Sequence, residues 1–74
     1  MKDGLMERLE RVYNEKGIDS PAKLAKVLGT NHTTCSNYFK GKRLPTLEFL
    51  SIMAKEFQDV DFNWVLTGKG SVFK

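Results

Sequence analysis

Apolar positions along this 74-residue chain recur at helical spacing, and no stretch alternates convincingly enough for a strand. From residue 4 to 16, Leu5, Leu9 and Val12 form a stripe with Met6 and Tyr13 beside it, while Glu7, Arg8, Glu10, Arg11 and Glu15 cover the remainder. This pattern predicts an amphipathic first helix, ended by Gly17, after which Ile18 turns back into the core. Ser20 then places a capping hydroxyl before Pro21, whose missing N–H costs nothing at a first helical position. A second helix therefore starts at Pro21, repeats Leu24, Ala25 and Leu28, and stops at Gly29 after about two turns.

Asn31 is placed to cap a third helix, whose Thr34, Cys35, Tyr38 and Phe39 lie towards one side and His32, Thr33, Ser36, Asn37 and Lys40 towards the other. Leu44-Pro45-Thr46 breaks the chain, and Thr46 caps a fourth helix with Leu47, Leu50, Met53, Ala54 and Phe57 at core-facing spacing. After the acidic connection from Asp59 to Asp61, Phe62, Trp64, Val65 and Leu66 predict a short fifth helix stopped by Gly68. The expectation is one compact all-α domain, a five-helix bundle over residues 1–68, with a helix-turn-helix unit at 21–39. Residues 69–74 read as a short tail or the start of a linker, with Val72 and Phe73 apolar enough to dock.

Composition narrows the class. At this length the core is modest and helix packing must carry it. The single cysteine cannot form an internal disulfide, no metal-ligand spacing is present, and neither a secretory segment nor a membrane-length apolar run occurs. A cytoplasmic setting is expected, with no membrane partner and no cofactor. Net charge is +3, but it is unevenly placed: residues 1–16 sum to 0, residues 17–43 to +4 and residues 44–74 to −1. The excess positive charge thus falls on the second and third helices and the loop after them, as an electrostatic footprint on phosphates requires.

The outer face of the third helix adds chemistry to that charge. Short uncharged side chains that donate and accept suit base edges in a major groove, whereas Lys and Arg at the periphery suit phosphates. Asn37 is the sharpest candidate, because Asn can bond adenine bidentately. A plain solvated face is the alternative for any one of these residues. His32 and Cys35 stand three apart on a helix, but two ligands fall short of the about four a stable zinc site wants. His32 reads as a pH-dependent contact or a neutral donor, and Cys35 as buried filler, since a nucleophile would need a base beside it. Phe62 and Trp64, with Val72 and Phe73 of the tail, are candidate core or dimer contacts. No phosphate-cradling loop or catalytic constellation occurs, so an enzyme is not expected.

With these boundaries drawn, four segments in order resemble the lambda-repressor-like helix-turn-helix family, also called the Cro/CI or XRE family, and especially its phage-repressor branch. They are Lys23-Leu-Ala-Lys-Val-Leu-Gly29, Asn37-Tyr-Phe-Lys-Gly-Lys-Arg-Leu-Pro-Thr46, Leu50-Ser-Ile-Met-Ala54 and Phe62-Asn-Trp-Val-Leu-Thr-Gly68, within a stretch of about two thirds of the chain. The resemblance implies that the helix over 32–39 enters the major groove while the preceding helix lies across the backbone. Base reading then falls on His32, Thr33, Ser36 and Asn37. Phosphate contacts fall on Asn31, Lys40, Lys42 and Arg43, with electrostatic reach from Lys23 and Lys26. It further implies a transcriptional repressor or regulator, a homodimer on a palindromic operator of double-stranded DNA. The Trp-Val-Leu-Thr-Gly segment often precedes a linker in that family, which is compatible with a further C-terminal domain or partner protein. Two positions depart from the pattern: Pro21 stands where Gln often braces a base-reading residue, and Cys35 where Val or Ile is usual. An antitoxin-type regulator and a helical protein-interaction module are the alternative functions.

Overall fold

A computed structural model of the protein describes residues 4–74, so Met1, Lys2 and Asp3 of the expected domain lie outside the described residues. Five helices follow in order: α1 Leu5–Glu15, α2 Pro21–Leu28, α3 His32–Phe39, α4 Leu47–Glu56 and α5 Phe62–Thr67. Each starts where a polar group satisfies an otherwise orphaned backbone N–H. Ser20 Oγ accepts from Lys23 N at 3.2 Å, Asn31 Oδ1 from Thr33 N at 2.8 Å and Thr34 N at 3.2 Å, Thr46 Oγ1 from Phe49 N at 3.1 Å, and Asp61 Oδ1 from Asn63 N at 3.0 Å. At the start of α1 the Gly4 N–H donates to Glu7 Oε1 at 3.1 Å.

One core joins all five helices. Leu9, Val12 and Tyr13 of α1 meet Leu24, Ala25 and Leu28 of α2, Cys35 and Tyr38 of α3, Phe49, Leu50 and Met53 of α4, and Val65 of α5. Ile18, Phe57 and Val60, from the connections, complete it. The expected α4 stripe is corrected at its first position: Leu47 is 81% exposed, and Phe49 is buried instead. Phe49 sets its ring edge-on to Tyr38, centroids 4.6 Å apart and planes at 62°, so the larger aromatic surface takes the inward place and Leu47 is left at the rim.

Arg8, expected on the polar side of α1, is also corrected: it is buried, and its Nε donates to the Val65 carbonyl at 2.7 Å. The last carbonyls of a helix have no partner within it, and a cation near that end also complements the helix dipole. Arg8 thus ties α1 to the closing turn of α5. Arg8→Ala removes this charged hydrogen bond and leaves the carbonyl unsatisfied, for an expected loss of about 1.5–3 kcal/mol. Urea unfolding checks it as a lower midpoint at unchanged slope; a shift within about 0.5 kcal/mol, as for ordinary surface changes, would contradict the role.

The tail is not a loose extension. Val60 and Phe73 form an isolated antiparallel bridge, Asp61 N donates to the Val72 carbonyl at 2.8 Å, and Lys74 N donates to the Asp59 carbonyl at 2.9 Å. Val72 is buried in the core, so its expected place at a dimer contact is corrected, because its side chain is consumed within the protomer. Phe73 packs against the same core, and Lys16 Nζ lies 5.6 Å from the centroids of both the Phe57 and Phe73 rings. Lys16 also donates to Asp59 Oδ1 at 2.6 Å and Oδ2 at 2.7 Å, which holds the Asp59 carboxyl below the ordinary aspartate value. No helix among the described residues is long and apolar enough to cross a membrane.

Candidate nucleic-acid interface

The geometry of the site begins with the turn between α2 and α3. Gly29 adopts φ +67° and Thr30 N donates to the Ala25 carbonyl at 3.0 Å, closing α2 in the left-handed manner that glycine accepts without strain. Thr30 Oγ1 then lies 2.9 Å from the Cys35 Sγ, either atom donating, so the turn is fastened to the inward face of α3. Cys35 is wholly buried. A residue that departs from the aliphatic pattern therefore packs as an apolar side chain and also gains a polar contact that Val or Ile lacks.

A second aromatic contact fixes the far end of α3. Tyr13 of α1 stacks on Phe39, centroids 5.2 Å apart and planes at 24°. The Tyr13 hydroxyl is buried and has no hydrogen-bond partner among the described residues, and burial, followed by the nearby Cys35, pushes its phenol above the ordinary range, so it stays neutral.

With its inward face committed, α3 turns His32, Thr33, Ser36 and Asn37 outward: His32 and Thr33 are exposed, and Ser36 and Asn37 are half-buried at the helix flank. The basic loop is attached to this helix by backbone alone. Gly41 adopts φ +76°, Gly41 N donates to the Tyr38 carbonyl at 3.2 Å, and Lys42 N donates to the Asn37 carbonyl at 3.0 Å. These are the two bonds of a Schellman motif, and Arg43 N adds a longer one to the same Asn37 carbonyl at 3.4 Å. Lys40, Lys42 and Arg43 are exposed and clustered immediately beyond the base-reading candidates.

Hydrogen bonding and charge pairing engage the described cations of α1 and its end but not those of α2, of the loop after α3, or Lys55, Lys69 and Lys74. Arg8, Arg11 and Lys16 on the α1 side are engaged with the Val65 carbonyl, Glu15 and Asp59. Among the described residues, Lys23, Lys26, Lys40, Lys42 and Arg43 make no ion pair, and the side chains of His32, Thr33, Ser36 and Asn37 make no hydrogen bond. Asn31 is different, since its side-chain carbonyl is spent on the α3 cap and only its amide N–H groups remain to meet a phosphate. Pro21 begins α2 with no side-chain donor at all. The described residues contain no group of three or more His, Cys, Asp or Glu side chains that could hold a metal.

Two features of this surface are hidden from sequence reasoning. The Thr30–Cys35 contact requires knowing which way α3 faces the turn, and the double use of the Asn37 carbonyl becomes visible only through backbone geometry. The glycine at position 41, followed by two bases, is the available signal for the latter.

Residues 8–65 match the model of a family described as helix-turn-helix. No curated protein and no solved structure matches the chain.

Proposed function

Because the chain belongs to the Cro/CI-type helix-turn-helix family of DNA-binding transcription regulators, we propose that it is a repressor that reads a palindromic operator as a homodimer. Its partner is double-stranded DNA. In this reading α3 enters the major groove and presents His32, Thr33, Ser36 and Asn37 to base edges. Asn31, Lys40, Lys42 and Arg43 hold the flanking phosphates, and Lys23 and Lys26 add long-range attraction. Two protomers set their α3 helices about 34 Å apart, one turn of B-DNA, and occupancy occludes polymerase. The protein extends 30 × 26 × 22 Å, a size at which two copies side by side span that distance. The cytoplasm, which keeps thiols reduced, suits the free Cys35.

The observation that carries this reading is that the cations of α2 and of the loop after α3 make no ion pair among the described residues and accompany an α3 outer face whose polar side chains make no hydrogen bond, while the cations of α1 are engaged elsewhere. Selection from a random duplex pool at physiological salt tests it. Enrichment of an inverted repeat is the expected result, and a folded protein that enriches nothing would overturn it. Replacing Lys42 and Arg43 together with Ala is expected to weaken binding to all sequences alike. It should also flatten the dependence of log K on log salt by about 0.9 for each phosphate no longer neutralised, roughly 1.8 for two. A change of sequence preference in that variant would instead assign these residues to base reading.

A further inference from the structure

A cleft of about 310 Å³ opens between α3 and the first half of α4, near the lower end of the roughly 300–1,000 Å³ that small-molecule sites occupy. Its apolar wall is formed by Phe49, which is buried, and Ile52, which is half-buried. Tyr38 adds a polar group that the fold leaves unused: the residue is 8% exposed, yet its hydroxyl makes no hydrogen bond among the described residues. A helical side chain leans over the residue four positions earlier, towards the start of its helix. For Tyr38 that residue is Thr34, which lines the same cleft, and the Tyr38 ring meets Phe49 edge-on there. Buried polar side chains almost always find a partner, and the one for Tyr38 has to come from the cleft.

Charge selects the class of occupant. No Lys, Arg or His lines the cleft, and Glu48, exposed and without an ion pair among the described residues, is its single charged residue. An anion is therefore disfavoured, and an ammonium gains the carboxylate. Few other polar groups are free. The Thr30 and Thr46 hydroxyls already meet Cys35 Sγ and Phe49 N, and the Asn31 carbonyl is spent on the α3 cap, which leaves the Asn31 amide N–H groups. An apolar wall with a small number of placed polar groups is what orients a small ligand.

We propose that this cleft binds a small primary amine with an aromatic body. Its ammonium meets Glu48, its ring packs against Phe49 and Ile52, and an acceptor oxygen receives the Tyr38 hydroxyl and the Asn31 amide. Occupation opposes operator binding, because the same Asn31 amide is the group offered to a phosphate. That coupling rests on the operator reading above, whereas the site itself does not.

Tyramine is the probe, titrated into the isotopically labelled full chain without DNA and followed by amide NMR shifts. Saturable shifts at Thr34, Tyr38, Phe49 and Ile52 are expected. Glu48→Gln should weaken tyramine about fivefold and leave its neutral counterpart, para-ethylphenol, unchanged. Tyr38→Phe keeps the ring and should weaken both about fivefold. Both variants retain the fold, since neither polar group has a partner within the described protein. The absence of saturable shifts at these residues, or tyramine affinity unchanged in either variant, would overturn the site. Saturating tyramine should also raise the dissociation constant of the selected duplex about fivefold relative to an equal concentration of sodium chloride. An unchanged constant would overturn the coupling. A chain that binds tyramine as expected but enriches no duplex would overturn the operator reading and leave the site standing.

Discussion

Asn37→Ala is expected to erase the preference for one base pair in each half-site of the selected operator while leaving the other positions intact. A bidentate side-chain contact discriminates against the wrong base by roughly 1 to 3 kcal/mol, about 5- to 150-fold, and a dimer makes the contact twice. On a full palindrome the discrimination therefore falls by about 2 to 6 kcal/mol if both halves are changed together. Because the Asn37 side chain has no hydrogen-bond partner within the described protein, the substitution leaves no internal group unsatisfied. Its backbone carbonyl still receives Lys42 N and Arg43 N. Comparing variant and wild type on every single-base variant of the operator checks the assignment. A uniform loss on all sequences, with no change of preference, would contradict a base-reading role and move Asn37 among the phosphate contacts.

Leu24→Ala acts on the scaffold and has the larger effect on stability. Leu24 is wholly buried in the part of the core shared by α2 and the helices it packs against. Truncating a leucine in such a place costs about 2.7–5 kcal/mol, the sum of lost transfer energy and the cavity left behind. A 74-residue domain holds only on the order of 4–11 kcal/mol in total. Much of its stability is thus removed, and Tm drops by roughly 4–8 °C for each kcal/mol. Calorimetry measures this directly, with Leu24→Met as the control, since a near-isosteric exchange costs less than about 1.5 kcal/mol. Equal stability of the Ala and Met variants would show that the space beside Leu24 collapses when it is truncated.

The helix order and the boundaries of the helix-turn-helix unit are legible in the chain because they rest on local chemistry. Ser20, Asn31 and Thr46 cap through bonds to N–H groups two or three residues away, and Gly29 ends α2 through its own φ. The separation of α3 into an inward and an outward side follows from spacing alone, and so does the candidate surface built on it. What stays hidden depends on partners distant in sequence. Arg8 and Val65 lie 57 residues apart, and nothing near either predicts that a guanidinium on α1 serves a carbonyl of α5. Leu47 and Phe49 both fit helical periodicity, and the choice between them is made by Tyr38, a residue of another helix. The tail reads as an extension because a single bridge leaves too short a pattern to register; Val60, Asp59 and Asp61 receive it only once α4 and α5 are in place.

The Asn37 carbonyl gives the proposed DNA-facing surface an evolutionary property. The loop that carries Lys42 and Arg43 hangs from the main chain of residue 37, and a main-chain acceptor is indifferent to the side chain attached to it. If Asn37 reads a base and Lys42 and Arg43 hold phosphates, as proposed, drift at that side chain proceeds without moving the loop. On the proposed reading, a lineage of such regulators would change operator vocabulary by substitution at one face of one helix and keep the same grip on the DNA backbone throughout.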